Sequence, residues 1–174
     1  RSMLAADVSP NRLERSKLAV MEFVRRHGRG RVGLIAFAGQ AFLQCPLTFD
    51  YGAFEDALRA LDDKTIMVPG TDIGRALDEA FRAMEKRDRR KIVVLLTDGE
   101  DLQGAGTRTA EALAKELVVV YTIGVGTAAG AEIRVINEQG QMELVRDARG
   151  EVVRSRLDET TLRAIAEATK GNYF

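Results

Sequence analysis

The apolar and polar positions of the chain follow two periods, one typical of helices and the other typical of strands. Between residues 10 and 27 apolar residues recur at helical spacing, and we predict a first helix there, with Ser9 as its N-cap and Pro10 in its first turn. Its buried stripe is expected to consist of Leu13, Val20 and Val24. The same period predicts a short helix over residues 51–61 and an amphipathic helix over about residues 72–86.

Two short apolar runs then indicate an antiparallel hairpin. Residues 31–37 and 41–47 have the composition of strands, and they flank a turn at Gly39 and Gln40. Proline lacks the N–H that a central strand must donate, so Pro46 predicts that the second strand lies at the edge of its sheet.

Two continuous apolar runs further along the chain indicate a parallel part of the sheet. Residues 92–96 and 117–121 are rich in β-branched side chains, which is typical of parallel strands that are covered on both faces. The apolar spacing of residues 110–117 predicts a helix that connects them in a βαβ unit. Strands that alternate with helices predict a doubly wound α/β fold, whose sheet is mostly parallel with one antiparallel edge strand and has helices on both faces.

The stretch over residues 131–155 departs from this alternation. Short alternating segments separated by two glycine turns predict a small antiparallel excursion there. Asp158 is expected to cap a last helix that ends at Gly171, and residues 172–174 have the pattern of the start of another strand. The chain contains no repeat, linker or low-complexity tract, so residues 1–174 are interpreted as one domain.

Composition narrows the function classes. The chain has 174 residues, of which 45% are hydrophobic, and its 26 basic and 26 acidic residues balance. No overall field therefore favours nucleic acid as a partner. The lone cysteine, Cys45, cannot form an internal disulfide and is expected to be a packed side chain, and the lone histidine, His27, cannot build a His-rich zinc site. No apolar run approaches the roughly 20 residues that cross a bilayer. Function is therefore expected in a local site.

Candidate ligand residues follow the predicted strands, where doubly wound sheets bind their ligands. Asp98 and Gly99 come directly after the strand at 92–96, and Thr71 precedes Asp72 at the start of a helix. Oxygen donors at such places suit Mg²⁺, Ca²⁺ or Mn²⁺ rather than zinc. Each residue also has a structural interpretation. Thr71 is a good N-cap, Asp72 is a favourable acid in a first helical turn, and Asp98 can form a turn before Gly99.

These residues resemble the von Willebrand factor type A (VWA) domain. The metal-ion-dependent adhesion site (MIDAS) of that family combines D-x-S-x-S after the first strand, a threonine on a loop and an aspartate after the fourth strand. Thr71 and Asp98 match the last two, and Ser2 matches the final serine of the first motif. Six segments are similar to the bacterial aerotolerance (Bat-type) subgroup, and the resemblance covers essentially the whole chain. They are residues 10–15, 36–39, 69–74, 97–101, 122–126 and 155–159.

The resemblance also implies what is missing. The first strand, normally central in the family's sheet, and the aspartate and first serine of D-x-S-x-S would precede Arg1, so the domain is expected to be truncated at its N-terminus and to end within its last strand. In the family, the serines and the threonine bind the cation directly, whereas the aspartates act largely through bound water. Ser2, Thr71 and Asp98 are thus the expected metal site, for Mg²⁺ or else Mn²⁺ or Ca²⁺, and the truncated chain is expected to bind the metal weakly.

The function that the resemblance implies is protein recognition and not catalysis. The cation would dock an acidic residue of a protein partner. The Bat-type subgroup implies a parent protein anchored in the bacterial inner membrane by segments outside this chain. Its domain would lie in the periplasm and act with a MoxR-type AAA+ ATPase and sister VWA proteins in envelope or oxidative stress.

Two alternatives stay open. One is a structural interaction module whose metal site is vestigial. The other is a Mg²⁺-dependent phosphoryl-transfer enzyme in which Asp98 and Asp101 hold the metal, although the chain shows no phosphate-binding loop and no catalytic lysine.

Overall fold

The first helix of the protein begins two residues later than the sequence pattern predicts. The structure is a computed structural model that describes residues 2–66, 68–84, 90–136, 140–147 and 149–174. Helix α1 spans Arg12–His27, and its N-cap is Asn11, whose side chain accepts a hydrogen bond from the N–H of Glu14 at 2.8 Å. The prediction of Ser9 as the N-cap is wrong, because Asn11 supplies the acceptor that the first helical turn needs.

The buried side of α1 also differs from the predicted apolar stripe. Val24 is buried, but Leu13 and Val20 are only half-buried. The most buried side chain of the helix is that of Arg12, which is 0% exposed, and Lys17 is buried as well. The buried side chains in the first turns of α1 therefore contact carboxylates and backbone carbonyl groups. The spacing of apolar residues along a sequence does not predict buried positions of this kind.

Strands β1 (Val32–Phe37) and β2 (Ala41–Thr48) form the predicted antiparallel hairpin. Within the described residues β2 pairs with β1 alone, as expected for an edge strand. Helix α2 (Tyr51–Ala60) follows and begins at its N-cap Asp50. A buried apolar cluster joins α1, α2 and one face of the hairpin, and it includes the cysteine that was predicted to be packed. Its members are Val24, Cys45, Phe54 and Leu58.

Helix α3 spans Ile73–Ala83 and packs against both strands of the hairpin. Phe37, at the end of β1, contacts the core that α3 helps to form, so α3 covers the face opposite α1 and α2. The N-cap of α3 is Asp72, whose side chain accepts a hydrogen bond from the N–H of Arg75 at 2.9 Å. The predicted helix extended to about residue 86, and residues 85–89 lie outside the described part of the chain.

Strands β3 (Lys91–Thr97) and β4 (Val118–Gly124) are parallel and are connected by α4 (Gly106–Lys115), which confirms the predicted βαβ unit. Across the described ranges, β1 is hydrogen-bonded to β2 and β3 to β4, in two separate pairs. The prediction that both faces are covered is wrong for β3, because Ile92 and Val94 are 51% and 39% exposed. These two side chains alternate with residues that point into the core and so lie on the opposite face.

The excursion over residues 131–155 is antiparallel, as predicted. Strand β5 (Ala131–Glu132) pairs with β8 (Arg154–Ser155), and β6 (Arg134–Ile136) pairs with β7 (Met142–Leu144). The excursion therefore leaves the domain and returns to it through the same pair of short strands, β5 and β8.

The last helix, α5, spans Glu159–Ala168 and begins at the predicted N-cap, Asp158. It ends three residues before the predicted Gly171. Beyond it, Tyr173 forms a parallel bridge with Thr122 of β4, so the expected further strand does begin at residues 172–174. The expected truncation at the N-terminus stays a prediction.

The main core lies between the β3–β4 pair and helices α3, α4 and α5, which brings the carboxyl end of β3 close to the starts of α3 and α5. Its buried members are Ile73, Leu77, Leu95, Ala110, Leu113, Val118, Val120, Leu162 and Ile165. This arrangement agrees with the predicted α/β class.

Leu77→Ala should destabilise the domain by about 2–5 kcal/mol, because it leaves a cavity at a position that is 0% exposed. Urea unfolding followed by circular dichroism measures this loss. Leu18→Ala is the matched control, since Leu18 is also helical but 50% exposed, and it should change the free energy of unfolding very little. Equal losses for the two variants would contradict this placement of the core.

Candidate metal-binding site

Asp98 lies directly after β3, at the carboxyl end of the strand, and is 1% exposed. Gly99 follows with a φ of 82°, a conformation that favours glycine, and a Cβ at this position would collide with the carbonyl oxygen of Asp158. The backbone N–H of Asp158 donates to the carbonyl oxygen of Asp98 at 2.7 Å. The loop after β3 is therefore fixed against the start of α5.

The two carboxylate oxygens of Asp98 have different surroundings. Oδ2 accepts hydrogen bonds from Nη1 of Arg12 at 3.1 Å and from Oγ of Ser155 at 2.8 Å. Oδ1 has one contact within the described residues, a long one of 3.4 Å from the hydroxyl of Thr97. Since each carboxylate oxygen can accept about two hydrogen bonds, Oδ2 is saturated and Oδ1 keeps acceptor capacity.

Arg12 is the centre of a buried network of charges. Its Nε and Nη2 donate to Oδ1 and Oδ2 of Asp7 at 2.9 and 2.8 Å, a bidentate pair. Its Nη1 also donates to Oγ of Ser155 at 2.7 Å, and its Nη2 donates to the carbonyl oxygen of Ser155 at 3.2 Å. One guanidinium therefore joins three parts of the chain: the segment before α1, the end of β3 and the end of the excursion.

Asp7 is ionised at any ordinary pH. The hydrogen bonds from Arg12 are the main cause that lowers its pKa from 3.8 to about 2. Burial opposes this shift, and the hydroxyl and backbone N–H of Thr127, each 2.9 Å from Oδ2, support it. With Asp7 and Asp98 against one guanidinium, the network has one surplus negative charge.

Glu100 adds to the negative charge near the site. Its pKa is raised, first because its carboxyl loses part of its hydration and second because of the charge of Asp98, while Arg12 opposes the shift. The side chain is nevertheless exposed at the surface. The carboxyl groups of Asp98 and Glu100 therefore lie close enough to influence each other at the rim beyond β3.

Thr71 lies beside the same loop. Its carbonyl oxygen accepts a hydrogen bond from the N–H of Leu102 at 3.1 Å, and the next residue, Asp72, donates its N–H to Ala38 at 2.8 Å. The structural interpretation of Thr71 as a helix cap is wrong, because Asp72 holds that position. Within the described part of the chain the Thr71 hydroxyl has no hydrogen-bond partner. It is therefore free to bind a ligand.

Ser2 lies in a short 3-10 turn, Ser2–Leu4, that precedes α1. Its carbonyl oxygen accepts from the N–H of Ala5 at 3.1 Å, and the carbonyl oxygen of Ala5 accepts from the N–H of Arg12 at 3.0 Å. The turn is thus tied to the residue that binds Asp98. Backbone contacts thus link Ser2 to the start of α1 and Thr71 to the loop that follows Asp98. No hydrogen bond among described residues joins the three side chains, and their grouping as one site stays a prediction.

This set of donors fits Mg²⁺ or Mn²⁺ in kind. Ser2, Thr71 and Asp98 offer two hydroxyl oxygens and one carboxylate, and hard cations prefer oxygen ligands. Among the described residues there is no group of three or more His, Cys, Asp or Glu side chains that could hold a metal ion. If all three bound a cation directly, they would supply about half of an octahedral shell, and water or a partner would have to complete it.

Asp101, the second acid of the phosphoryl-transfer alternative, has a structural role. Its Oδ2 accepts from the N–H of Gly106 at 2.7 Å, and its Oδ1 accepts from the N–H of Ile73 at 3.4 Å. The carboxylate therefore stabilises the N-termini of α3 and α4. This use of Asp101 weakens the case for a pair of metal-binding acids.

Sequence reasoning did not find the residues that hold Asp98. Arg12 and Ser155 occur in segments 10–15 and 155–159, which carry the family resemblance, and that was the signal available for them. Asp7 lies outside those segments, and no sequence pattern indicated its role. Their contacts join residues 143 positions apart, which no local pattern reports.

Known proteins resemble this chain in sequence and in fold. The family model of the von Willebrand factor type A domain matches residues 1–100. A crystal structure of an aerotolerance-related membrane protein from Bacteroides fragilis has a TM-score of 0.93 and 34% identity, covering 99% of this chain and 85% of that one. The structure of BatB from Bacteroides thetaiotaomicron also has a TM-score of 0.93, with 36% identity over 99% of this chain and 83% of that one.

Other relatives extend the comparison. A UPF0353 protein of Mycolicibacterium paratuberculosis is 34% identical over 75% of this chain and 43% of its own length. The chain spans about half, or less, of the length of the curated relatives that it matches. A structure of proximal thread matrix protein 1 from the mussel byssus, which has a zinc-occupied MIDAS motif, shares the fold with a TM-score of 0.68. Its sequence is 20% identical, and the match covers 98% of this chain and 38% of that one.

The chain belongs to the von Willebrand factor type A family. Its similarity to the two Bacteroides structures places it with the Bat-type, aerotolerance-related members and confirms the doubly wound fold class. The helices of this domain are short. None of those in the described ranges is long and apolar enough to cross a bilayer.

The ion pair between Asp7 and Arg12 should make stability depend on pH in the acid range. Because folding lowers the pKa of Asp7 to about 2, its stabilising effect is complete above about pH 4 and is lost as the pH falls towards 2. The stability difference between the wild type and Asp7→Asn should therefore shrink by about 2 kcal/mol between pH 5 and pH 2, as measured by urea unfolding.

Asp56→Asn is the control for this titration, because the Asp56 side chain is 80% exposed and, among the described residues, makes one long surface contact, with Arg59 at 3.7 Å. Its stability difference from the wild type should stay nearly constant over the same range. A difference for Asp7→Asn that is also independent of pH would contradict the assignment.

Proposed function

We propose that this domain binds a divalent cation, Mg²⁺ or else Mn²⁺ or Ca²⁺, through Ser2, Thr71 and Asp98, and that the cation docks an acidic residue of a protein partner. The observation that carries this proposal is the state of Asp98. It is a buried carboxylate at the carboxyl end of β3, with one oxygen saturated by Arg12 and Ser155 and the other still able to accept.

The charges of the ligand set support recognition of an acid. Two of the three donors, the hydroxyls of Ser2 and Thr71, are neutral, and Arg12 offsets part of the charge of Asp98. A bound divalent cation would keep net positive charge at an open coordination position, and such a position attracts a carboxylate. Asp101 is committed to two helix N-termini, so we propose that the site recognises a partner and does not catalyse a reaction.

The parent protein is proposed to be anchored in the bacterial inner membrane by segments outside this chain, with the domain in the periplasm. The support is the Bacteroides fragilis relative, which is described as an aerotolerance-related membrane protein. We further propose that a MoxR-type AAA+ ATPase and sister VWA proteins are the partners, in envelope or oxidative stress. The balanced net charge of the chain gives no support to a nucleic-acid partner.

One observation favours a second candidate function. Arg12 already acts as the counter-ion of Asp98, at 3.1 Å and with both side chains buried, so Asp98 is stabilised without any metal. In that case the domain is a structural interaction module with a vestigial site. The two functions differ in whether the Thr71 hydroxyl matters for binding.

Thr71→Ala in the full-length protein should weaken the binding of Mn²⁺ at least tenfold. Removing a residue that only hydrogen-bonds to a metal ligand already lowers metal affinity 10- to 100-fold, and removing a ligand should lower it at least as much. Isothermal titration calorimetry measures the affinity. Thr48→Ala is the matched control, since Thr48 lies opposite Val32 at the other end of the hairpin. Wild-type protein that takes up no Mn²⁺, or equal affinity in the two variants, would contradict the metal site.

The same pair of variants tests recognition of the partner. With the purified MoxR-type ATPase and Mg²⁺ present, Thr71→Ala should lower the affinity of the full-length protein for the ATPase, while Thr48→Ala should leave it unchanged. Surface plasmon resonance provides the measurement. Unchanged affinity in Thr71→Ala, together with lost Mn²⁺ binding, would retain the metal site and reject its role in docking this partner.

A further inference from the structure

We propose that Arg12 is the positioning residue of the candidate metal site: it holds Oδ2 of Asp98 and so presents Oδ1 to the cation. This inference rests on the proposed function, because it assigns a role within the same site. It concerns a residue that touches neither the cation nor the partner.

The contacts decide between positioning and competition. If Arg12 competed with the cation, both would need the same oxygen of Asp98. The guanidinium instead bonds to Oδ2 at 3.1 Å, and Ser155 also bonds to that oxygen at 2.8 Å. Oδ1 has the 3.4 Å contact with Thr97 alone within the described residues. Oδ1 therefore keeps the capacity to bind a cation or its bound water while Arg12 stays in place.

Other groups hold Arg12 independently of Asp98. Asp7 binds two of its nitrogen atoms, at 2.9 and 2.8 Å, and Thr127 in turn fixes Asp7 with its N–H and hydroxyl. The backbone of Gly126, in the loop after β4, also packs closely against the guanidinium, since a Cβ at this position would lie 2.6 Å from its central carbon. The guanidinium is thus a fixed part of the fold, and it holds the carboxylate of Asp98 through Oδ2.

Charge repulsion between Arg12 and the cation would act in the opposite direction, by weakening metal binding. Asp7 forms a bidentate pair with Arg12, however, and largely cancels its charge at a distance. What remains is the orienting effect on Asp98. Groups that orient metal ligands in this way typically contribute 10- to 100-fold to metal affinity.

Two variants that keep the total charge test the inference, with Mn²⁺ alone as the probe of the full-length protein. Ser155→Ala removes one donor to Oδ2 and one partner of Arg12. Arg12→Lys keeps the positive charge but cannot reach Asp7 and Asp98 together, because it lacks the planar fork. Each should weaken Mn²⁺ binding about tenfold or more in calorimetry.

Thr169→Val is the control for a general loss of stability. Its buried hydroxyl accepts a hydrogen bond from the N–H of Val120 at 2.9 Å, in a part of the core that contacts no candidate ligand. It should lower the melting temperature but leave the Mn²⁺ affinity unchanged. A merely structural role of Arg12 would instead make metal affinity follow melting temperature in all three variants.

The outcomes separate this inference from the proposed function. Mn²⁺ binding that is lost in Thr71→Ala but unchanged or stronger in Arg12→Lys would overturn the role of Arg12 and keep the metal site. If Arg12→Lys does not fold, Ser155→Ala decides in the same way. Wild-type protein that binds no Mn²⁺ would overturn both proposals at once.

Discussion

The candidate site depends on one buried interaction, the set of hydrogen bonds that Arg12 makes to Asp7, Asp98 and Ser155. It places a fully buried guanidinium between two carboxylates and ties the start of α1 to the end of β3. Breaking such a network by removing one member leaves an unpaired buried charge, which typically costs about 3–5 kcal/mol. The geometry around Asp98 is therefore built into the fold and does not depend on a flexible surface loop.

Two acidic residues close to the site have structural roles. Asp72 caps α3 and Asp101 binds the N-termini of α3 and α4, so both carboxylates are used by the backbone. Thr71 directly precedes Asp72, and its hydroxyl is unpaired in the described part of the chain. The ligand set is consequently poor in negative charge. A bound cation would then seek an anion from outside, which connects the local structure to recognition of an acidic partner.

Local patterns predicted much of the fold and the position of the site, but not what holds the site together. The hairpin and the βαβ unit follow from short-range periodicity, and the rule for strand ends placed Asp98 at the rim. Periodicity failed at Arg12, because a charged residue buried by distant partners has no apolar signature. It also failed for the second face of β3, since a continuous apolar run has the same pattern whether or not that face is covered, and Ile92 and Val94 are exposed.

The most direct test is a crystal structure of the full-length protein or its complete soluble domain grown with Mn²⁺, with anomalous diffraction to locate the ion. We expect an anomalous peak about 2.0–2.3 Å from the Thr71 hydroxyl, on the side of Oδ1 of Asp98, with Arg12 still bonded to Oδ2. No peak at this rim would contradict the metal site. A peak bound to Oδ2, with Arg12 displaced, would contradict the role of Arg12.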